Sequence, residues 1–175
     1  MLGGGAFEDT PEVSMIKLYK RLADSRLAYH EAWADGDSIV EHWGIAGTRG
    51  DNRSHRMRSR DEEGEVERVL AAPRAAGYEE IDADDERRLI VEYVIDGMGT
   101  PADLEKRHRL EQHLNETLGW TGLGLCDGGS IGSGTMEVCC FVVDFELSKA
   151  VVEGSLKTTE FADYSRIYDE DGVAG

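Results

Sequence analysis

Apolar and polar residues alternate with a period of two through most of the first 60 positions. Met15-Ile16-Lys17-Leu18-Tyr19-Lys20 reads as a strand. From Arg26 to Trp33, Leu27, Tyr29 and Glu31 fall on one face and Ala28, His30 and Ala32 on the other. Ala34-Asp35-Gly36-Asp37 is a turn between two such runs and predicts a hairpin into a strand from Ser38 to Gly44. Asp51-Asn52 turns the chain into a further strand from Arg53 to Arg60. The period then changes. Val66, Val69 and Leu70, at i, i+3 and i+4, predict a helix over Glu62 to Ala76, which Pro73 should end or kink. Gly77-Tyr78 closes a unit of three or four antiparallel strands on one helix.

The second half has its own order. Arg88 to Asp96 is an apolar strand and Gly97 to Thr100 a turn. Thr100-Pro101 places an N-cap before a proline at the first helical position. Leu104, Leu110, Leu114 and Leu118 form one stripe of the helix that follows, which Gly119 ends. Thr121 to Cys126 and Thr135 to Asp144 read as strands joined by a glycine-rich hairpin. A helix from Glu146 to about Thr159 should turn Leu147, Ala150, Val151 and Leu156 inward, and Tyr164 to Tyr168 is a last strand. The order βαββαβ is that of a ferredoxin-like unit, with both helices on one face of an antiparallel sheet. The class is therefore α+β.

The polar stretch Asp82-Ala83-Asp84-Asp85-Glu86 is the expected boundary, which few core contacts should cross. It divides the chain into a flexible tail over residues 1–13, a first domain over 14–82 and a second over 87–170. The 175 residues suit two small domains, and no apolar run reaches the length of a membrane span. Met1 to Asp9 has neither the basic nor the apolar region of a secretory signal. Cys126, Cys139 and Cys140 are odd in number, which predicts no disulfide framework and points to a reducing, cytoplasmic compartment. Small buried side chains are their simplest role, and adjacent Cys139 and Cys140 should point to opposite faces.

Charge changes the picture. The formal net charge is -17. Up to Ile81 there are 11 basic and 16 acidic residues; from Asp82 onward there are 8 and 20. Yet Arg49, Arg53, Arg56, Arg58 and Arg60 share their stretch with one acid, Asp51. An acidic second half repels nucleic acid and anionic membrane, so any anion site belongs to this cluster.

The cluster follows Trp43-Gly44-Ile45-Ala46-Gly47-Thr48-Arg49-Gly50. Trp43, Gly44, Gly47, Thr48, Gly50 and the closing Gly77-Tyr78, with Met57 at an inward apolar position, make residues 14–82 resemble a WGR domain. The resemblance implies a sheet-plus-helix module, found in nuclear poly(ADP-ribose) polymerases as a DNA-end contact and docking module and also in bacterial proteins. Ile45 stands where that family has its arginine and cannot donate to a phosphate. The helix carries Glu62, Glu63, Glu65 and Glu67 in place of the family's lysines. Binding would then rest on Arg49, Arg53, Arg56, Arg58 and Arg60, with Trp43 as a stacking platform or a core residue.

At a strand period Arg56, Arg58 and Arg60 share one face, at roughly 6–7 Å spacing that suits a run of phosphates. Two readings stay open. In one the strand contacts DNA or RNA phosphates. In the other it meets an acidic protein surface, in a partner, a second copy or this chain's own acids. Gly119 to Gly134 lacks the Gly-Lys-Ser/Thr of a phosphate loop and runs helix to strand, so bulged strands explain it better. His108 and His113 are five apart, wrong for chelation across one helical turn. Asp96, Asp127 and Asp144 sit at strand ends, where turn formation is the usual role. No catalytic residue, metal ligand or cofactor is assigned, and the expected function is a non-enzymatic binding module.

Overall fold

The computed structural model describes residues 15–173. The tail expected over residues 1–13 lies outside them. The first unit is a meander of β1 (Met15–Arg21), β2 (Leu27–Asp35), β3 (Ser38–Ile45) and β4 (Asp51–Arg56), followed by α1 (Glu62–Ala75). The strands pair antiparallel in sequence order, so β1 and β4 are the edges. β4 is shorter than the expected strand. Met57 adds one more bond, its N–H donating to the Asp37 carbonyl at 3.1 Å, and the chain then bends away.

The second unit is β5 (Arg87–Val94), α2 (Pro101–Gly119), β6 (Gly124–Gly132), β7 (Thr135–Val142), α3 (Phe145–Leu156) and β8 (Arg166–Asp169). Its sheet order is β6-β7-β5-β8, all antiparallel neighbours, which is the ferredoxin-like arrangement. Thr100 and Asp103 close a capping box at the start of α2. The α2 stripe is shorter than its leucines suggest. Leu110, Leu114 and Leu118 are fully buried, each worth about 1.5–3 kcal/mol, but Leu104, nearer the start of the helix, remains 40% exposed. On α3 the buried face is Ser148, Val152 and Leu156, with Leu147 and Val151 flanking it and Ala150 exposed. α1 continues two residues past Pro73, which is buried in the last turn.

Most of the glycine-rich segment is a bulged strand, as the sequence suggests. This strand is β6, with a register shift between Cys126 and Gly129. The register sets Cys126 directly opposite Cys140, and the two form a disulfide. This corrects the expectation of no disulfide, which rests on cysteine count and spacing and takes no account of the hairpin register. Cys139 does point to the opposite face and is free.

The boundary at residues 82–86 separates the sheets but not the core. Tyr19, Leu27, Tyr29 and Ala46 of the first unit join Leu114, Leu118, Leu123 and Val142 of the second unit in one cluster. The other face of the first sheet packs on α1 through Leu18, Ala32, Ile39, Val66, Val69 and Leu70, with Met57 at its margin. The first sheet thus meets apolar side chains on both faces, and one side-chain cluster crosses the expected boundary. Period-two alternation placed Leu27 and Tyr29 on a common face; only docking decided that this face meets the second unit. Among the described residues no helix is long and apolar enough to cross a membrane.

Candidate anion-binding site

The turn after β3 is built around one hydroxyl. Tyr29, on the face turned to the second unit, donates to the carbonyls of Arg49 (3.0 Å) or Thr48 (3.2 Å). Gly50 has φ +65°, and a Cβ there would overlap both the Trp43 carbonyl and the Tyr29 hydroxyl. The Gly47 N–H donates across the unit junction to the Thr121 carbonyl at 2.9 Å. Gly122, with φ +65°, lies so close that a Cβ would overlap the Tyr29 ring. Gly50 and Gly122 therefore serve close packing around Tyr29.

His42 extends the network. Its Nδ1 lies 2.7 Å from Glu31 Oε1 and its Nε2 2.6 Å from the Arg49 carbonyl, so both ring nitrogens face acceptors. Burial pushes the Tyr29 phenol up, with the Glu31 and Asp51 charges acting in the same direction.

A second network occupies the α1 side of the same strands. Glu41, 5% exposed, accepts from His30 Nε2 at 2.6 Å, Arg53 Nη2 at 2.7 Å and His55 Nε2 at 2.5 Å. Burial raises its carboxyl, but bonds from Arg53, His30 and His55 outweigh that and hold it at about 2. Trp43 stacks on His30 with centroids 5.7 Å apart, and the Arg53 guanidinium lies 5.6 Å from its ring centroid. Trp43 is half-buried, packed on one side by these groups.

The six residues expected to form one site are thus divided among three places. Arg49 lies over Trp120 at 5.2 Å, at the junction of the units. Trp43 and Arg53 belong to the Glu41 network. Arg56, Arg58 and Arg60 line an open groove of about 990 Å³ with Gly36, Asp37, Ser38, Met57, Ser59 and Glu62. The ladder explains the split: Trp43 pairs with Asp51 whereas Ser38 pairs with Arg56. Five residues of strand, roughly 16 Å, separate these ends.

All three groove arginines are exposed. Of the acids that follow them in sequence, Glu62 lines the groove, while Asp61, Glu65 and Glu67 have partners elsewhere. Asp61 caps α1 by accepting from the Gly64 N–H at 3.1 Å. Glu65 holds Arg68 at 2.7 Å and the Arg58 backbone N–H at 3.2 Å. Glu67 holds Arg74 at 2.9 Å. Among the described residues no carboxylate lies within 4.0 Å of the Arg56, Arg58 or Arg60 guanidinium. The three no longer share a strand face as expected, because β4 ends at Arg56, but they remain on one concave surface.

Sequence reasoning missed Tyr29, Glu31, His42, Glu41 and Trp120 as members of polar or aromatic networks. Opposed Glu and His residues on β2 and β3 carried the signal, since Glu31 and His42 are direct cross-strand partners. Among the described residues no cluster of three or more His, Cys, Asp or Glu could hold a metal ion. No family model, no curated protein and no solved structure matches the chain.

Proposed function

We propose that the protein is a non-enzymatic binding module that takes a polyanionic chain, the phosphate backbone of a nucleic acid, in the groove of Arg56, Arg58 and Arg60. One observation carries this reading: three exposed guanidiniums line one concave surface with no carboxylate in ion-pair reach among the described residues. Guanidiniums engage phosphate oxygens through paired N–H donors. The resemblance of residues 14–82 to a WGR domain agrees with such a role, but the groove stands on its own chemistry. Trp43, Arg49 and Arg53 are not part of it.

Groove and chain oppose one another electrostatically. Asp37 and Glu62 line the rim, and the net charge of -17 repels a polyanion as it approaches. Binding is therefore expected to be modest and strongly salt-dependent. The test is a titration of fluorescent single-stranded and nicked duplex DNA, and of RNA, at two salt concentrations. Affinity that falls steeply with salt and disappears in Arg56→Glu/Arg58→Glu supports the proposal. No binding at low salt sinks it. Concentration-dependent self-association that Arg56→Glu/Arg58→Glu abolishes would instead favour a second copy of this acidic chain as the partner.

A further inference from the structure

A second cleft, of about 230 Å³, lies where β1 and β2 meet the C-terminal end of α2. Its walls are indoles: Trp33 from β2 and Trp120 from the end of α2 meet nearly at right angles, centroids 6.2 Å apart. Glu31 contributes a carboxylate that is only 4% exposed. One of its oxygens accepts from His42. The other has no hydrogen bond, although the Lys17 ammonium stands 3.0 Å away outside donor geometry. Glu116 and Met15 stand at the rim.

Each part selects against a different class of ligand. Two carboxylates against one ammonium give the lining a net negative charge, which disfavours anions. The volume is below the roughly 300 Å³ at which drug-sized pockets begin, so the occupant is a head group or one side chain. Indole walls disfavour a strongly hydrated metal ion and favour a soft organic cation, which ring quadrupoles attract. The Trp120 ring already carries one such cation, since the Arg49 guanidinium lies 5.2 Å from its centroid. Lys17 marks where a second cation rests against Glu31.

We propose that this cleft binds the cationic head of a small organic ligand, an alkylammonium or alkylguanidinium group. The incoming cation takes the place of the Lys17 ammonium beside Glu31 and lies against Trp33 and Trp120. Lys17, in the first half of β1, has a flexible four-carbon stem and swings its charge to water. The two possible sources of such a group are a free amine and a lysine or arginine side chain of a partner.

The experiment follows tryptophan fluorescence as tetramethylammonium, n-butylammonium and n-butylguanidinium chlorides are added at constant ionic strength, with sodium chloride as control. The chain has three tryptophans, and Trp43→Phe removes the one outside the cleft. A saturable change in wild type and in Trp43→Phe is expected, weakened about tenfold by Trp120→Ala. Because Trp120→Ala also disturbs packing against His42 and Trp33, Lys17→Met is the decisive variant. It removes the competing ammonium and should tighten binding severalfold. N-acetyl-lysine amide and N-acetyl-arginine amide complete the series. Tighter binding of these than of tetramethylammonium assigns the cleft to a partner's side chain; the reverse order assigns it to a free quaternary amine. No saturable change beyond the sodium control, or unchanged affinity in Lys17→Met, overturns the proposal.

Discussion

In the second unit Arg87 pairs with Asp169, Arg88 with Glu170 and Asp171, Arg109 with Glu160 and Arg166 with Glu92. In the first, Arg56, Arg58 and Arg60 stand exposed with no acid in ion-pair reach among the described residues. Local sequence suggests the contrary for the first unit, where Asp61, Glu62, Glu63, Glu65 and Glu67 follow the arginines directly. Element geometry explains the difference. β5 is an inner strand, and its register with β8 sets Glu92 opposite Arg166. β4 is an edge strand with no neighbour beyond it, and α1 directs Glu65 and Glu67 to its own Arg68 and Arg74. Proximity along the chain does not neutralise a charge; registered opposition across a ladder or along a helix does.

Reversing charge in each unit tests this contrast most directly. Arg56→Glu/Arg58→Glu should weaken polyanion binding about a thousandfold at low salt, from four units of altered charge at the site. Arg88→Glu/Arg166→Glu changes the net charge equally and should leave affinity within a few fold. Equal losses in the two variants would make the groove irrelevant and reduce the effect to bulk charge.

The next test separates the groove from the shared core. Gly122→Ala forces a side chain into the Tyr29 ring at a positive φ and should destabilise the protein by about 2–4 kcal/mol in denaturant unfolding. The groove lies at the other end of the sheet, so polyanion affinity of the folded variant should not change. A coupled loss would join the two regions.

The Glu41 network supplies a third. Glu41→Gln should cost about 1–3 kcal/mol near neutral pH, since three donors lose an ionised acceptor. The folded carboxyl titrates at about 2, below its ordinary 4.5. Its contribution is therefore fully present above pH 4.5 and is lost as pH falls through 2. Unfolding followed by circular dichroism over that range should show the decline in wild type and a flatter profile in the Gln variant.

The smallest effect belongs to the paired arginines. Arg166→Ala removes a guanidinium that bonds Glu92 at 2.7 and 2.9 Å but is itself exposed. The Ser165 hydroxyl still lies 3.2 Å from the Glu92 carboxylate, with the Glu92 carbonyl at 2.8 Å as its alternative acceptor. Stability should fall by no more than about 1 kcal/mol, with no change in polyanion binding. A larger loss would show that the second unit depends on its ion pairs rather than on Leu110, Leu114 and Leu118.

Much of the fold was legible in the chain because period and punctuation are local. The alternation of Leu27, Tyr29 and Glu31 against Ala28, His30 and Ala32 set the two faces of β2, and Thr100-Pro101 marked the start of α2. The βαββαβ order carried the second unit's topology, because a split βαβ unit leaves few ways to cover one face of a sheet. The arginine cluster was also visible as composition. Its division was not, because the length of β4 and the pairing of Trp43 with Asp51 are properties of the ladder. The Cys126–Cys140 disulfide was hidden for the same reason, since a glycine bulge sets which residues oppose one another.

The sequence by itself determined which residues alternate, which cap and which carry charge, since these follow from side-chain chemistry within a few positions. Only the tertiary structure decided that Tyr29 faces a second unit, that Trp33 and Trp120 meet 87 positions apart, and that Arg56, Arg58 and Arg60 have no ion pair among the described residues. Those outcomes depend on contacts between distant segments, where packing and register, not local propensity, select the partner of each group.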